Sequence, residues 1–307
     1  MEEHLFKHTP VMLEECITGL NIKKNGVYVD GTLGGAGHSS EIVKGLTSGR
    51  LIAIDKDDNA LNFSKQKLSN FSNVVFVKSD FKNFKTIINN LQIDGVDGIL
   101  LDLGVSSHQI DTADRGFSYR FDGELDMRMD QTQTLTAKYV VNNYTESDLA
   151  RIIYTYGEES FSRLIAKEIC KQRKLKPIET TMQLKELIER VIPKKFQGGG
   201  SCCKKTFQAL RIEVNQEMEA LKEMLLSAME MLRPGGRLVV ITYHSLEDRM
   251  VKNIMKTGNI EGKTIQDFYG NSQTPFKLVN KVIIASDDEV KRNPRSRSAK
   301  LRIAEKK

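Results

Sequence analysis

The sequence predicts an α/β fold, a parallel sheet with helices on both faces, interrupted by a helical segment. Three observations carry this. Apolar strands at 27–29, 51–55, 74–77 and 98–102 alternate with helical patterns near 38–47, 57–69 and 82–91, the βαβαβαβ rhythm of a parallel sheet. Each strand ends in or beside an acid: Asp30, Asp55, Asp80 and Asp102. The sheet pattern stops after Gln109 and resumes at Arg237-Leu-Val-Val-Ile-Thr242.

The first strand opens into Asp30-Gly-Thr-Leu-Gly-Gly-Ala-Gly-His38, with glycines at 31, 34, 35 and 37 before a helix. Such a loop lets backbone approach a ligand, and the helix N-terminus offers N–H groups to an anion. The strict dinucleotide pattern is not met, because Ser40 stands at the third position, and no phosphate-loop lysine follows the glycines. What remains suits an adenosine without a pyrophosphate, and S-adenosylmethionine fits. Asp55 is placed to bind both ribose hydroxyls, Phe81 to lie against the adenine, and the helix end near Gly37 to take the methionine carboxylate. A strand-end Asp also commonly caps the next helix, but four acids opening on one crevice favour a site. An NAD-dependent oxidoreductase would need the third glycine position filled.

After the fourth strand a polar stretch, Asp114 to Asp130, precedes helical patterns at about 146–156, 158–174 and 181–192. Thr145 and Asp148 form a capping pair, and Pro193 ends the last of these helices. Gln197-Gly-Gly-Gly-Ser reads as a flexible link. A long helix at about 207–232 follows, ending at Arg233-Pro-Gly-Gly. Strands near 277–285 and 300–305 then finish the sheet, the last one antiparallel. The expected organisation is residues 1–111 and 207–307 in the sheet domain, with 112–206 as an inserted helical domain.

At 307 residues the chain is long enough for two cores, and its 39% hydrophobic and 28% charged content is ordinary for a globule. No apolar run is long enough to span a membrane, and Met-Glu-Glu-His-Leu-Phe-Lys lacks the apolar core of a signal peptide, so a cytoplasmic protein is expected. Cys16, Cys170, Cys202 and Cys203 include no CxxC pair, and the adjacent two cannot readily bridge each other. The five histidines, at 4, 8, 38, 108 and 244, are scattered. The expectation is reduced thiols and no metal. Net charge is +6, unevenly spread. Residues 150–207 hold thirteen Lys or Arg against six acids, and residues 291–307 hold eight against one, so each region carries +7 and the remainder −8. This points to a polyanionic partner, with Arg295, Arg297 and Lys300 as candidate RNA contacts. The alternatives are solvated lysine-rich helix faces in the first region and, in the tail, a strand at Leu301–Ala304 with solvated charges.

Long motifs run through the chain in one order: His8-Thr-Pro-Val-Met-Leu, Asp30 to Ser39, Ala53-Ile-Asp-Lys-Asp, Asp97 to Gln109, Arg115-Gly-Phe-Ser, Leu125-Asp-Met-Arg-Met-Asp, Thr155-Tyr-Gly-Glu-Glu, Thr206-Phe-Gln-Ala-Leu-Arg-Ile, Pro234-Gly-Gly-Arg-Leu, His244-Ser-Leu-Glu-Asp-Arg and Asn293 to Arg302. In these the chain resembles the RsmH/MraW family of bacterial 16S ribosomal RNA cytosine-N4 methyltransferases. The resemblance implies a class I, Rossmann-like S-adenosylmethionine-dependent methyltransferase sheet with an inserted all-helical domain. It implies methylation of a cytidine at the decoding centre, near the peptidyl site, with 16S rRNA or the small ribosomal subunit as partner. It points to Gly35, Ala36, Gly37, Asp55, Phe81, Asp102 and Gln109 as cofactor contacts. The chain departs from the family at Ser201-Cys-Cys-Lys-Lys, where His-Pro-Ala-Thr/Lys-Arg is usual, and is short between Lys256 and Thr274.

The chemistry narrows the catalytic candidates. The exocyclic amine of cytosine is a poor nucleophile, and a hydrogen-bond acceptor on its N–H localises the lone pair as the bond forms. The candidates are the Asp102 carboxylate, nearby backbone carbonyls, the Ser106 and Ser107 hydroxyls, and His244, which equally suits anchoring the Ser-Leu-Glu-Asp helix. No cysteine nucleophile is required, since the ring carbon is not the target.

Overall fold

The computed structural model describes residues 9–197, 202–270 and 273–307. His4, His8, the N-terminal heptapeptide and residues 198–201 of the glycine link lie outside them. The chain divides into two compact units. One runs through Gly104 and resumes at Met218–Lys307, and the other is Val105–Glu217.

The first unit starts with α1 (Leu13–Leu20), β1 (Val27–Asp30), α2 (Gly37–Lys44), β2 (Arg50–Asp55), α3 (Asp58–Lys67), β3 (Val74–Lys78), α4 (Phe84–Asn90) and β4 (Val96–Asp102). The second unit holds α5 (Ser107–Asp111), α6 (Ala137–Asn143), α7 (Glu146–Gly157), α8 (Ser162–Arg173), α9 (Thr181–Val191) and α10 (Lys204–Asn215). The chain then continues through α11 (Glu217–Met231), β5 (Leu232–Thr242), α12 (Ser245–Thr257), β6 (Phe276–Leu278), β7 (Ile283–Ile284), α13 (Asp287–Arg292) and β8 (Lys300–Lys306).

The sheet order is β3-β2-β1-β4-β5-β8-β6. The first five strands are parallel, and β8 runs antiparallel to β5, as expected for the last strand. Side chains alternate between two buried layers, the period-two signature of a sheet covered on both faces. Val29, Ile52, Ile54, Ile99, Leu101, Leu238 and Val240 face α4, α11 and α12. Tyr28, Leu51, Ala53, Leu100, Val239, Ile241 and Leu301 face α1, α2 and α3. Strand order reverses between β1 and β4, which puts the crevice of this fold at the carboxyl ends of those strands. Asp30 and Asp102 stand at that switch point.

The helical unit has its own core. Leu149, Ile152, Ile153, Leu184, Leu187 and Ile188 sit there with Ile165, Ile169 and Phe207. Thr145 caps α7 by accepting from the Asp148 N–H at 3.1 Å. Among the described residues no helix is long and apolar enough to cross a membrane.

Two expected elements are divided. The helix expected at 207–232 breaks at Gln216, whose φ of 51° is left-handed and ends α10. Asn215 beside it turns its side chain to other backbone, accepting from Met129 N and donating to Met127 O. The strand expected at 277–285 is two short pieces, β6 and β7, both paired with β8. Val279 still donates to Ile303 O at 3.1 Å, and the interruption falls on Asn280, Lys281 and Val282. The helix expected from 158 starts at Ser162, because Glu158 takes a left-handed conformation and closes α7.

Candidate active site

The glycine loop is shaped by backbone conformation and by one carboxylate. Gly34 and Ala36 both have positive φ, +49° and 53°. Ala36 is fully buried and forms the N-cap of α2 with no side-chain cap, so the first turn of that helix keeps N–H groups for an anion. A Cβ on Gly37 would come within 2.9 Å of Pro10, which makes glycine the residue that fits. The Lys67 ammonium donates to Gly35 O at 2.8 Å and Ser64 Oγ to Gly34 O at 2.8 Å, so α3 holds the loop from behind.

Asp55 ends β2 under this loop. Its Oδ2 accepts from Gly34 N at 2.8 Å and its Oδ1 from Asp57 N at 2.9 Å. Burial pushes its carboxyl up to about 6, although the two backbone N–H groups pull the other way. A carboxylate offers about four lone-pair positions, so acceptor capacity remains for hydroxyl donors. Phe81 follows β3 and packs its Cβ beside Gly31, where an added Cβ would lie 3.5 Å from it. Asp80 is spent locally: it caps the turn at Phe81–Asn83 through Lys82 N and pairs with Lys56 at 3.3 Å. Asp30 is buried, accepting from Ser39 Oγ at 2.6 Å and Thr32 N at 3.1 Å, and burial raises its pKa against those bonds.

Asp102 ends β4 with its carboxylate between two side chains. The Tyr243 hydroxyl donates to Oδ1 at 2.7 Å, and His38 Nδ1 lies 3.8 Å from Oδ2. His38 donates from Nε2 to Val11 O at 3.0 Å, so its Nδ1 bears a proton only in the imidazolium. Burial, and then the Asp102 charge, push the Tyr243 hydroxyl well above its ordinary value, so it stays a donor. Tyr243 was not among the sequence candidates. Only the β4–β5 register, which pairs Asp102 with Ile241, brings it there.

His244 follows Tyr243 and forms the N-cap of α12, its Nδ1 accepting from Glu247 N at 3.4 Å. Buried Glu247 returns Oε2 to the Tyr243 and His244 N–H groups, at 2.8 and 3.2 Å. His244 thus sits as the anchor of the Ser-Leu-Glu-Asp helix. Cys16 on α1 lies near enough to Asp102 to feel its charge, a proximity the spacing did not suggest. It is fully buried, and burial holds its thiol well above the ordinary value, so it is no nucleophile.

Gln109 belongs to the second unit. It is buried and closes the capping box of α5 with Ser106, its Oε1 accepting from Ser106 N at 3.1 Å. The tail residues fall within the sheet unit. Lys300 begins β8 and lies 3.5 Å from Asp248, which Arg302 grips through Nε and Nη2 at 2.7 and 3.1 Å. Arg295 is half-buried and Arg297 exposed.

The profile of the MraW methylase family matches residues 5–307. A protein of Bacteroides fragilis named ribosomal RNA small subunit methyltransferase H is 55% identical over 308 residues, covering 100% of this chain and 99% of its own. Proteins of the same name from Phocaeicola vulgatus and Finegoldia magna are 55% and 47% identical over 302 and 308 residues. They cover 98% of this chain each, and 97% and 99% of their own lengths. With one family profile and full-length relatives in agreement, the chain belongs to the MraW methylase family.

Proposed function

We propose that this chain transfers a methyl group from S-adenosylmethionine to the exocyclic N4 of a cytidine in 16S ribosomal RNA, at the decoding centre of the small subunit. The observation that carries the reading is the Asp102 carboxylate at the sheet's switch point, fixed by the Tyr243 hydroxyl at 2.7 Å. The names of the relatives support small-subunit ribosomal RNA as the substrate.

The residues of the loop fit the cofactor. Asp55 would take the ribose hydroxyls, Phe81 the adenine, and the uncapped start of α2 at Gly35, Ala36 and Gly37 the methionine carboxylate. Asp102 completes the proposed set within the sheet unit. When bound, the cofactor supplies an electrophilic methyl group on a sulfonium. This chain's part is to hold the target amine in line and to accept from its N–H. Asp102 suits that task better than His244, whose Nδ1 accepts in the α12 cap and whose buried Nε2 faces Glu247 Oε1 at 3.0 Å. The acceptor localises the nitrogen lone pair, then takes the proton the amine loses once methylated, and passes it to solvent. The base must leave its stack to be reached.

The test is incubation of the protein with methyl-labelled S-adenosylmethionine and small-subunit particles from cells lacking it, followed by nucleoside analysis. Label in N4-methylcytidine is expected. Label in 5-methylcytidine, or none in RNA, would overturn the reading.

A further inference from the structure

We propose that Cys202, Cys203 and Glu189 form a binding site in the helical unit for one thiophilic divalent cation, of the zinc or cadmium kind. The inference is independent of the methylation reading. A thiol sulfur from each cysteine and a carboxylate oxygen of Glu189 all lie within 4.8 Å of one another. Glu189 comes from the last turn of α9, and Cys203 is the N-cap of α10. Neighbouring side chains in extended backbone point apart, but Cys203 has φ −77° and ψ −21°, a helical turn that lets both sulfurs converge. Cys203 is fully buried, while Cys202 and Glu189 are half-buried, so the donors are partly desolvated and still reachable by an ion. The Cys203 sulfur also lies 3.8 Å from the Lys185 carbonyl, which turns it toward α9.

The donor set decides the class of ion. Two sulfurs and one carboxylate match borderline-soft cations that accept tetrahedral coordination, with a water in the fourth position. Magnesium and calcium want oxygen shells and would gain little here. Binding replaces two thiol protons by the ion and releases both, so the dication meets two thiolates and one carboxylate. That leaves one net negative charge beside Lys204 and Lys205, which are exposed and follow directly in the chain. Each thiol must lose its proton to ligate the ion, so affinity should climb with pH. The competing account is that Cys203 simply packs in the helical core, to which it belongs. A hydrogen bond between the two thiols accounts for their meeting, and the metal reading adds the reason for the Glu189 carboxylate to close the same group.

The experiment titrates the full-length reduced protein with Cd²⁺ alone, follows the thiolate-to-cadmium charge-transfer band in the ultraviolet, and then displaces the ion with Zn²⁺. The band should saturate at one ion per chain, with protons released. Cys202→Ser should remove about half of the band and weaken binding by about tenfold or more, and Glu189→Gln should keep the band and weaken binding. Cys202 is half-exposed and its serine variant, checked by circular dichroism, is the deciding one. Cys203→Ser removes a buried core group and serves only if it folds. Absence of the band, or a band unchanged in Cys202→Ser but lost in Cys170→Ser, would overturn the proposal.

Discussion

Lowering the pH should loosen the cofactor through Asp55 while this same group firms the unliganded fold. The carboxyl sits at about 6, against an unperturbed 3.8. Two ribose hydroxyls are donors, so they need the ionised form. The affinity then scales with the ionised fraction, and the dissociation constant grows by about tenfold as pH falls from 7 to 5, about 1.4 kcal/mol. The stability term has the opposite sign. The folded pKa lies above the unfolded one, so between them the native state binds a proton that the unfolded chain does not. This group's contribution therefore becomes more favourable as pH falls through about 6 and levels off below 3.8, by at most about 3 kcal/mol. Calorimetry of S-adenosylhomocysteine binding across that range, in buffers of different ionisation enthalpy, reads both the affinity and the protons released. Asp55→Asn is the control: it should bind more weakly at neutral pH and lose the dependence. It keeps one acceptor for the Gly34 or Asp57 N–H, whereas Asp55→Ala would orphan both at about 1–3 kcal/mol each. An equal dissociation constant for wild type at pH about 7 and about 5 would remove Asp55 from the ribose site.

Two further outcomes follow from the same geometry. Tyr243→Phe removes the hydrogen bond to the Asp102 carboxylate, a charge-assisted contact worth about 1.5–3 kcal/mol, so kcat should fall by about 10- to 100-fold with cofactor affinity nearly unchanged; an unaltered kcat would show that Asp102 needs no such support. Replacing Arg295, Arg297 and Lys300 by Ala should lower RNA affinity and flatten its salt dependence, with Arg297 giving most of the change because Lys300 is held by Asp248. A salt slope equal to wild type would mean the tail serves the sheet and the phosphates are met elsewhere.

Much of the sheet was legible because buried parallel strands write themselves as short apolar runs, and the acids at 30, 55 and 102 mark their ends. The strand at 300–306 could be read as antiparallel from its place after the last helix. The break at Gln216 could not be foreseen: no glycine or proline announces it, and a left-handed glutamine is held there by the packing around Asn215. Tyr243 was hidden for a related reason. Between Thr242 and His244 it looks like the frayed end of a strand, and its meaning comes from a register between residues 141 positions apart. The charge count had the opposite failing. It located the basic tail correctly but not what the charges touch: Arg302 and Lys300 are spent on Asp248, and Lys306 donates to Met229 O.

Four carboxylates that look equivalent in the sequence are separated by their partners. Asp30 is sealed among Ser39 and Thr32, so its work is to fix the start of the loop. Asp80 is satisfied by a turn N–H and a lysine, the capping role that a strand-end acid often has. Asp55 takes one backbone N–H on each oxygen, which fixes the carboxylate plane and leaves its remaining lone pairs in a fixed direction. Asp102 receives the Tyr243 hydroxyl on one oxygen, has His38 near the other and, unlike buried Asp30, keeps 15% of its side chain exposed. Under the proposed function, gripping two neutral hydroxyls and accepting a proton from an amine would call for one rigid acceptor and one partly exposed one. Asp55 and Asp102 would fill these places two strands apart, because β1 lies between β2 and β4. The division of labour follows from which neighbours each strand end meets, and that is set by the strand order rather than by the acids themselves.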